Sequence, residues 1–214
     1  MRLRLAAAGT TAVVALAAVL GAGSAAHADS GVAPPTNPIT LSVQTINGSG
    51  CPAGTAKVAM LPDNTGFRVI YSDFLAQANG GAAATAFRKN CQINLQVDIP
   101  QGFTFAIAWA NYRGHASLAS GATALERTNY YFQGSSGNNF VDHTINGPYS
   151  GGWTATDITS DANLVYEPCG ETVNLNLNTE LRVDDGGTTS TSWISMDASD
   201  GGIATLVHFQ WEQC

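Results

Sequence analysis

One stretch constrains the fold of this chain more than any other. From Val173 to Val183 the sequence reads VNLNLNTELRV, with Val173, Leu175, Leu177, Leu181 and Val183 on one face and Asn174, Asn176, Asn178, Glu180 and Arg182 on the other. A period of two held this long is incompatible with a helix. It marks a strand with one face on a core and the other in water, the pattern of an antiparallel sheet.

The same period recurs. Ile93, Leu95, Val97 and Ile99 alternate with Asn94, Gln96 and Asp98 until Pro100 stops the run. Phe103, Phe105, Ile107 and Trp109 share a face whose reverse carries Ala106, Ala108 and Ala110, which predicts a central strand covered on both sides. Ile203, Thr205, Val207, Phe209 and Trp211 alternate near the end. Shorter strands are expected over 39–46, 56–61, 67–71, 125–133, 140–149, 162–166 and 191–197. Turn chemistry such as Asn47-Gly48, Pro62-Asp63-Asn64, Asn146-Gly147-Pro148 and Asp185-Gly186-Gly187 separates them. The single helical candidate, Ser72 to Lys89, is cut by Gly80-Gly81. About eight to eleven strands at this spacing predict an all-β chain, an antiparallel β-sandwich or jelly-roll-like single domain.

The N-terminus reads as an address. Arg2 and Arg4 precede an apolar run from Leu5 to Leu20, and Ala26-His27-Ala28 supplies the small residues that signal peptidase needs. Residues 1–28 are therefore expected to be a signal peptide, 29–38 a Pro-rich extended leader, and 39–214 one β-sandwich domain. The product is expected to be secreted, with no membrane attachment after cleavage. The 214-residue chain has a formal net charge of −7, and losing Arg2 and Arg4 makes it more acidic. That balance argues against nucleic acid and anionic lipid as partners.

All four cysteines, Cys51, Cys91, Cys169 and Cys214, lie beyond the cleavage point. An even number in an exported chain implies disulfides, with three possible connectivities. The pairing Cys51–Cys91 and Cys169–Cys214 is favoured because each bridge closes one half of the chain and the second pins a free end. No C-x-x-C or H-x-x-x-H spacing supports zinc.

The segments NGSGCPAGTA, FRKNCQINLQVDIPQGF, YYFQG, GPYSGGW, PCGETVNLNLNTELRV, MDASDGG and HFQWEQC, in this order, resemble a secreted family catalogued as domain of unknown function 4360, met in actinobacteria and fungi. The resemblance spans Ile39 to Cys214, and the four cysteines sit where that family carries them. It implies a small exported all-β protein and brings no activity, so no functional residue is carried over.

Catalytic motifs are absent from the sequence. His115, His143 and His208 are present, yet there is no G-x-S-x-G elbow. The Asp- and Gly-rich turns at 184–187 and 197–202 lack the alternating oxygens and closing Glu of an EF-hand and read as plain turns. No cofactor or metal is expected. Asp142, Asp157, Asp161, Glu171, Glu180 and Glu212 are carboxylates by type only, with no spacing that pairs them.

Aromatics give the better hint. Tyr149-Ser150-Gly151-Gly152-Trp153 places two rings on what reads as a Gly-rich connection after Pro148, where they could stack on sugars or fill a pocket on a partner. The competing reading folds Trp153 back onto the core, where Trp usually lies. Trp109 and Trp211 read as core, and Trp193 stays open.

Three functions follow as expectations. The first is an exported non-catalytic module that binds a glycan or a protein at the cell envelope through Tyr149 and Trp153. The second is a secreted hydrolase, which requires Asp142-His143, His115 or His208 to converge with acids of raised pKa. The third is a secreted protease inhibitor, with Ala53–Thr55 beside Cys51 as its reactive loop.

Overall fold

The structure is a computed structural model that describes residues 31–135, 139–160, 163–196 and 204–214. The expected signal peptide, the strand start at Ile203, the acidic turn at 197–202 and Asp161 lie outside them. Among the described residues twelve strands form two sheets, and every pair of strands there is antiparallel. They are β1 (Thr40–Asn47), β2 (Ala56–Met60), β3 (Gly66–Tyr71), β4 (Leu75–Ala78), β5 (Arg88–Asp98), β6 (Phe103–Leu118), β7 (Thr123–Phe132), β8 (Asn139–Asn146), β9 (Tyr149–Ile158), β10 (Asn174–Asp184), β11 (Ser192–Ser195) and β12 (Thr205–Gln213). One sheet has the order β1-β5-β10-β7-β8. The other runs β2-β3-β12-β6-β11-β4, with β9 paired to β6.

The core lies between the sheets and is built as the alternation demands. Leu175, Leu177, Leu181 and Val183 of β10 are buried together with Ile93, Leu95 and Val97 of β5. From the facing sheet, Phe67, Phe105, Phe209 and Trp211 meet them as an aromatic cluster, with Phe105 and Phe209 centroids 4.4 Å apart. Burying aromatics of this size contributes about 1.5–3 kcal/mol each before packing is counted. Both disulfides have the expected pairing, Cys51–Cys91 and Cys169–Cys214.

Several expectations are corrected. Ser72 to Lys89 holds no helix: β4 pairs Leu75–Ala78 with β11, and β5 begins at Arg88. β6 is longer than expected and bulged, because His208 pairs with Trp109 while Phe209 pairs with Ile107. The extra residue switches the parity of the strand. Phe105 and Ile107 face the core before the bulge, and Ala110, Tyr112, Ala116 and Leu118 face it afterwards. Trp109 is thereby turned to the outer face, where it stacks on His208 with centroids 3.7 Å apart. It is not a core residue, whereas Trp211 is.

The run 140–149 is two strands in different sheets, divided at Gly147-Pro148. Of the expected strand at 162–166, the described residues contribute one isolated bridge, Ala106 to Tyr166. The leader is tied down: Val32 bridges Trp211, and the Asn64 amide donates to the Pro35 and Asn37 carbonyls at 2.7 and 2.9 Å. Residues 52–55 close a tight turn, with the Thr55 N–H donating to the Pro52 carbonyl. So short a turn cannot present the extended segment that a protease-inhibiting loop needs.

Candidate functional site

β8 is the last strand of one sheet and β9 the last on its side of the other, and they part from the turn at 147–148. Between them lies a cleft of about 260 Å³, lined by Glu126, Asp142, His143, Thr144, Ile145, Trp153, Thr154 and Ala155.

Strand parity decides which side chains enter it. On β7, Ala124, Glu126, Thr128, Tyr130 and Phe132 all point inward, so a carboxyl occupies a core position. Glu126 pairs with His143 of β8, which places the two side chains next to each other on that face. On β9, Trp153 and Asp157 are the inward-facing buried residues. From β6, Tyr112 reaches the same point.

The result is a buried polar constellation. Nε2 of His143 donates to Oδ1 of Asp157 at 2.6 Å, and the Tyr112 hydroxyl donates to the other carboxylate oxygen at 2.9 Å. Oε2 of Glu126 lies 4.0 Å from the same His143 nitrogen. It has no hydrogen-bond partner among the described residues. Oε1 accepts from the Thr128 hydroxyl at 2.8 Å, and Thr128 in turn bonds Thr179 of β10.

Glu126 is 0 % exposed and Asp157 2 %, whereas the His143 side chain keeps 21 %. Burial pushes the Glu126 carboxyl up to about 8, with Asp157 and Asp142 adding to the shift and the Thr128 bond opposing it. Glu126 is therefore a neutral acid at pH 7. Burial likewise raises the Tyr112 phenol well above its ordinary value, and that of Tyr130 to about 12.

Of the expected site residues, His143 and Asp157 meet here, joined by Glu126, which the sequence reading passed over. Its signal was present: a lone acid at an inward position of a strand whose other inward residues are Ala124, Thr128, Tyr130 and Phe132. Glu167 was missed as well. It is buried behind β6, where its backbone carbonyl accepts from Thr104, and burial lifts its carboxyl to about 7.

The remaining candidates lie elsewhere. Asp142 borders the cleft, but its carboxylate turns to the outer face of β8 and forms an ion pair with Arg127. His115 is exposed on β6, and His208 stacks on Trp109. Glu180 is held by Arg88 and Arg182; burial pushes its carboxyl up, but the two guanidinium bonds more than offset this and leave it low. Among the described residues no group of His, Cys, Asp and Glu has the geometry to hold a metal ion.

Tyr149 and Trp153 are not on a loop. They belong to β9, paired with Leu118 and Gly114 of β6. Trp153 is 6 % exposed and its indole N–H donates to the Ser195 carbonyl at 3.2 Å. A Cβ at Gly114 would stand 1.8 Å from that carbonyl oxygen and 3.0 Å from the indole, so only glycine lets the ring lie this close. Trp153 thus forms the inner wall of the cleft and presents no free face. The half-buried Tyr149 turns its hydroxyl back onto the Gly152 carbonyl.

An uncharacterized secreted protein of Arthroderma benhamiae is 30% identical over 184 residues, covering 86% of this chain and 75% of its own. Among solved structures, the enzymatically active domain of bacteriophage CBA120 tailspike protein 4 aligns at 11% identity with a TM-score of 0.25. The match covers 82% of this chain and 19% of that one, and a score so low carries no argument. Secretion fits the two disulfides and the nature of the fungal relative, and the protein is a secreted one. The model of domain of unknown function 4360 matches residues 37–214, nearly the whole described chain with all four cysteines, and the chain belongs to that family.

Proposed function

We propose that this protein is an exported, non-catalytic binding module whose ligand enters the cleft between β8 and β9. The observation that carries the reading is the contrast in access within the cleft. His143 reaches solvent, while Glu126 and Asp157, which set its surroundings, do not. A catalytic acid must come within hydrogen-bond reach of the atom it protonates. Of the two carboxyl groups buried behind the histidine, Asp157 orients it by a hydrogen bond, and neither has the exposure that contact with a substrate requires.

The cleft volume, about 260 Å³, falls just below the ~300–1,000 Å³ of pockets for drug-sized ligands. It suits one sugar ring or one side chain of a partner. His143 is the polar side chain that parity turns toward the Trp153 wall, and Thr144 and Thr154 border the cleft on either side. In this reading the part assigned to Trp153 is to shape the cleft, and Tyr149 borders the turn from which the cleft opens.

A secreted hydrolase is the second reading, favoured by the proton that Glu126 retains to about pH 8 beside His143. One titration separates the two. Monosaccharides, N-acetylglucosamine and galactose among them, are added to labelled protein while backbone and His143 ring resonances are followed. Binding predicts shifts at Thr144, Thr154 and His143 that saturate, with no product formed from the corresponding disaccharides. Turnover that vanishes in Glu126→Gln supports the hydrolase. Shifts confined to residues outside the cleft defeat both.

A further inference from the structure

The outer face of the five-stranded sheet carries residues that strands ordinarily avoid. β5, β10 and β7 each have a neighbour on both sides. Their water-facing positions hold Gln92, Asn94 and Gln96, then Asn174, Asn176 and Asn178, then Asn129. Asn is depleted in strands, and at exposed central positions Thr would fit the pleated backbone better. Solubility does not require the choice either, since charged side chains serve that purpose on sheet faces. A block of carboxamides set against β-propensity calls for another reason.

The register arranges them in rows. Asn94, Asn176 and Tyr131 lie side by side across three strands, and Gln92, Asn178, Asn129 and Phe140 form the next row. The amides are interlocked: Asn94 Nδ2 donates to Asn176 Oδ1 at 2.7 Å, and Asn174 Nδ2 donates to Asn94 Oδ1 at 2.9 Å. Each carboxamide has two N–H groups and two lone pairs, so these bonds fix orientation while leaving donor and acceptor capacity toward solvent. Phe140 is 51 % exposed, with the Arg127 guanidinium 4.9 Å from its ring centre, and Tyr131 is half-buried beside the amides.

Charged side chains flank the amide rows: Arg88, Glu180, Arg182, Arg127 and Asp142 pair among themselves toward one end of the sheet, and Asp98 lies at the other, accepting from Thr40 and Gln96. The amide rows have no formal charge. The guanidinium groups beside the rows are already paired with carboxylates, and the acidic chain as a whole repels anions. A neutral ligand rich in hydroxyls matches the surface, because each hydroxyl both donates and accepts. Flat rings alongside suit the apolar faces of sugars.

We infer that this face is a docking surface for a neutral polysaccharide chain, held by the amide rows and by Tyr131 and Phe140. The surface is distinct from the cleft, and its argument does not rest on the cleft being occupied. The shape favours an extended polymer over a small molecule, since the rows cross a sheet face and enclose nothing.

The test is depletion of the whole secreted protein from solution by two insoluble neutral glucans, cellulose and curdlan. Retention on at least one of them is expected. The triple variant Asn94→Thr, Asn176→Thr, Asn178→Thr should lose about tenfold in affinity, the worth of one or two hydrogen bonds. Its melting temperature should hold or rise, because Thr suits a strand better than Asn. Phe140→Ala combined with Tyr131→Ala should weaken retention as well. Three outcomes overturn the inference: no retention of the wild type on either glucan, undiminished retention of the triple variant, or loss confined to the cleft variant His143→Ala. The last would move glycan binding to the cleft and leave the cleft reading standing.

Discussion

The two ends of the sandwich interior are filled by opposite means. At one end Phe67, Phe105, Phe209 and Trp211 interdigitate, with Phe132 edge-on to Phe105 at 5.3 Å. At the other, between β7, β8 and β9, the same layer holds two hydrogen-bonded groups, Tyr112–Asp157–His143 and Glu126–Thr128. Apolar packing gains free energy wherever shapes match, whereas a buried polar group merely avoids a loss when it is fully paired. The aromatic end therefore stabilises the fold. The polar end, with Glu126 Oε2 unpartnered among the described residues, draws on that stability, and it is the end that opens to solvent.

The largest effects should come from breaking the apolar side. Phe105→Ala is expected to cost about 3–5 kcal/mol, as deletion of a buried aromatic does. Trp153→Ala should approach the same range, because the ring is a cleft wall held by Gly114 and Ser195. Urea denaturation checks both. An unchanged stability in Trp153→Ala would show that the ring adds little to the packing of the core. Removing a disulfide ranks alongside: opening Cys51–Cys91, whose separation is 40 residues, should cost roughly 4 kcal/mol in the chain-entropy model.

The polar end should reveal itself through pH. A carboxyl raised in the folded state contributes no penalty while both states are protonated, and destabilises once pH exceeds its unfolded value. Stability should therefore be highest near pH 4–5 and fall as pH rises toward 8 through the folded value of Glu126. Glu167, raised to about 7, acts in the same direction. At ~1.4 kcal/mol per unit, Glu126 alone can account for about 3 kcal/mol between pH 5 and 8. Melting temperatures across that range should fall for the wild type and fall less steeply for Glu126→Gln, which mimics the neutral acid and leaves Glu167 to titrate. A flat wild-type profile would show that Glu126 is not a neutral buried acid.

The smallest effect should lie on the outer face. Arg127→Ala breaks an ion pair with Asp142 that is more than a third exposed at both partners' average. Such pairs contribute ~0–1 kcal/mol. A double-mutant cycle with Asp142→Ala that returned a coupling well above this would mean that the charged rows, too, help hold the sheet.

Legibility tracked how much of a strand's pattern is carried by large side chains. β10 and the alternating part of β5 could be read directly, because Leu, Ile and Val contrast sharply with Asn and Gln. β9 could not: its YSGGWTATDI is mostly small or polar, so its alternation has almost no amplitude. It is a strand because β6 offers it a partner along its length. Trp109 shows the opposite failure. The local pattern is clear, and a single bulged residue, forced by the pairing with β12, turns the ring outward.

What the sequence determined by itself is whatever depends on local period and on covalent chemistry: an all-β chain, strands with one wet face, paired cysteines and an exported product. The tertiary structure decided everything that depends on which strands become neighbours. It placed Glu126 and His143 side by side across β7 and β8, and carried Asp157 and Tyr112 to them from the opposite sheet. The same assembly lined up Asn94, Asn176 and Tyr131 from three distant parts of the chain. Side-chain parity is a property of one strand and can be read along it, whereas register between strands is fixed by the packing of the whole core.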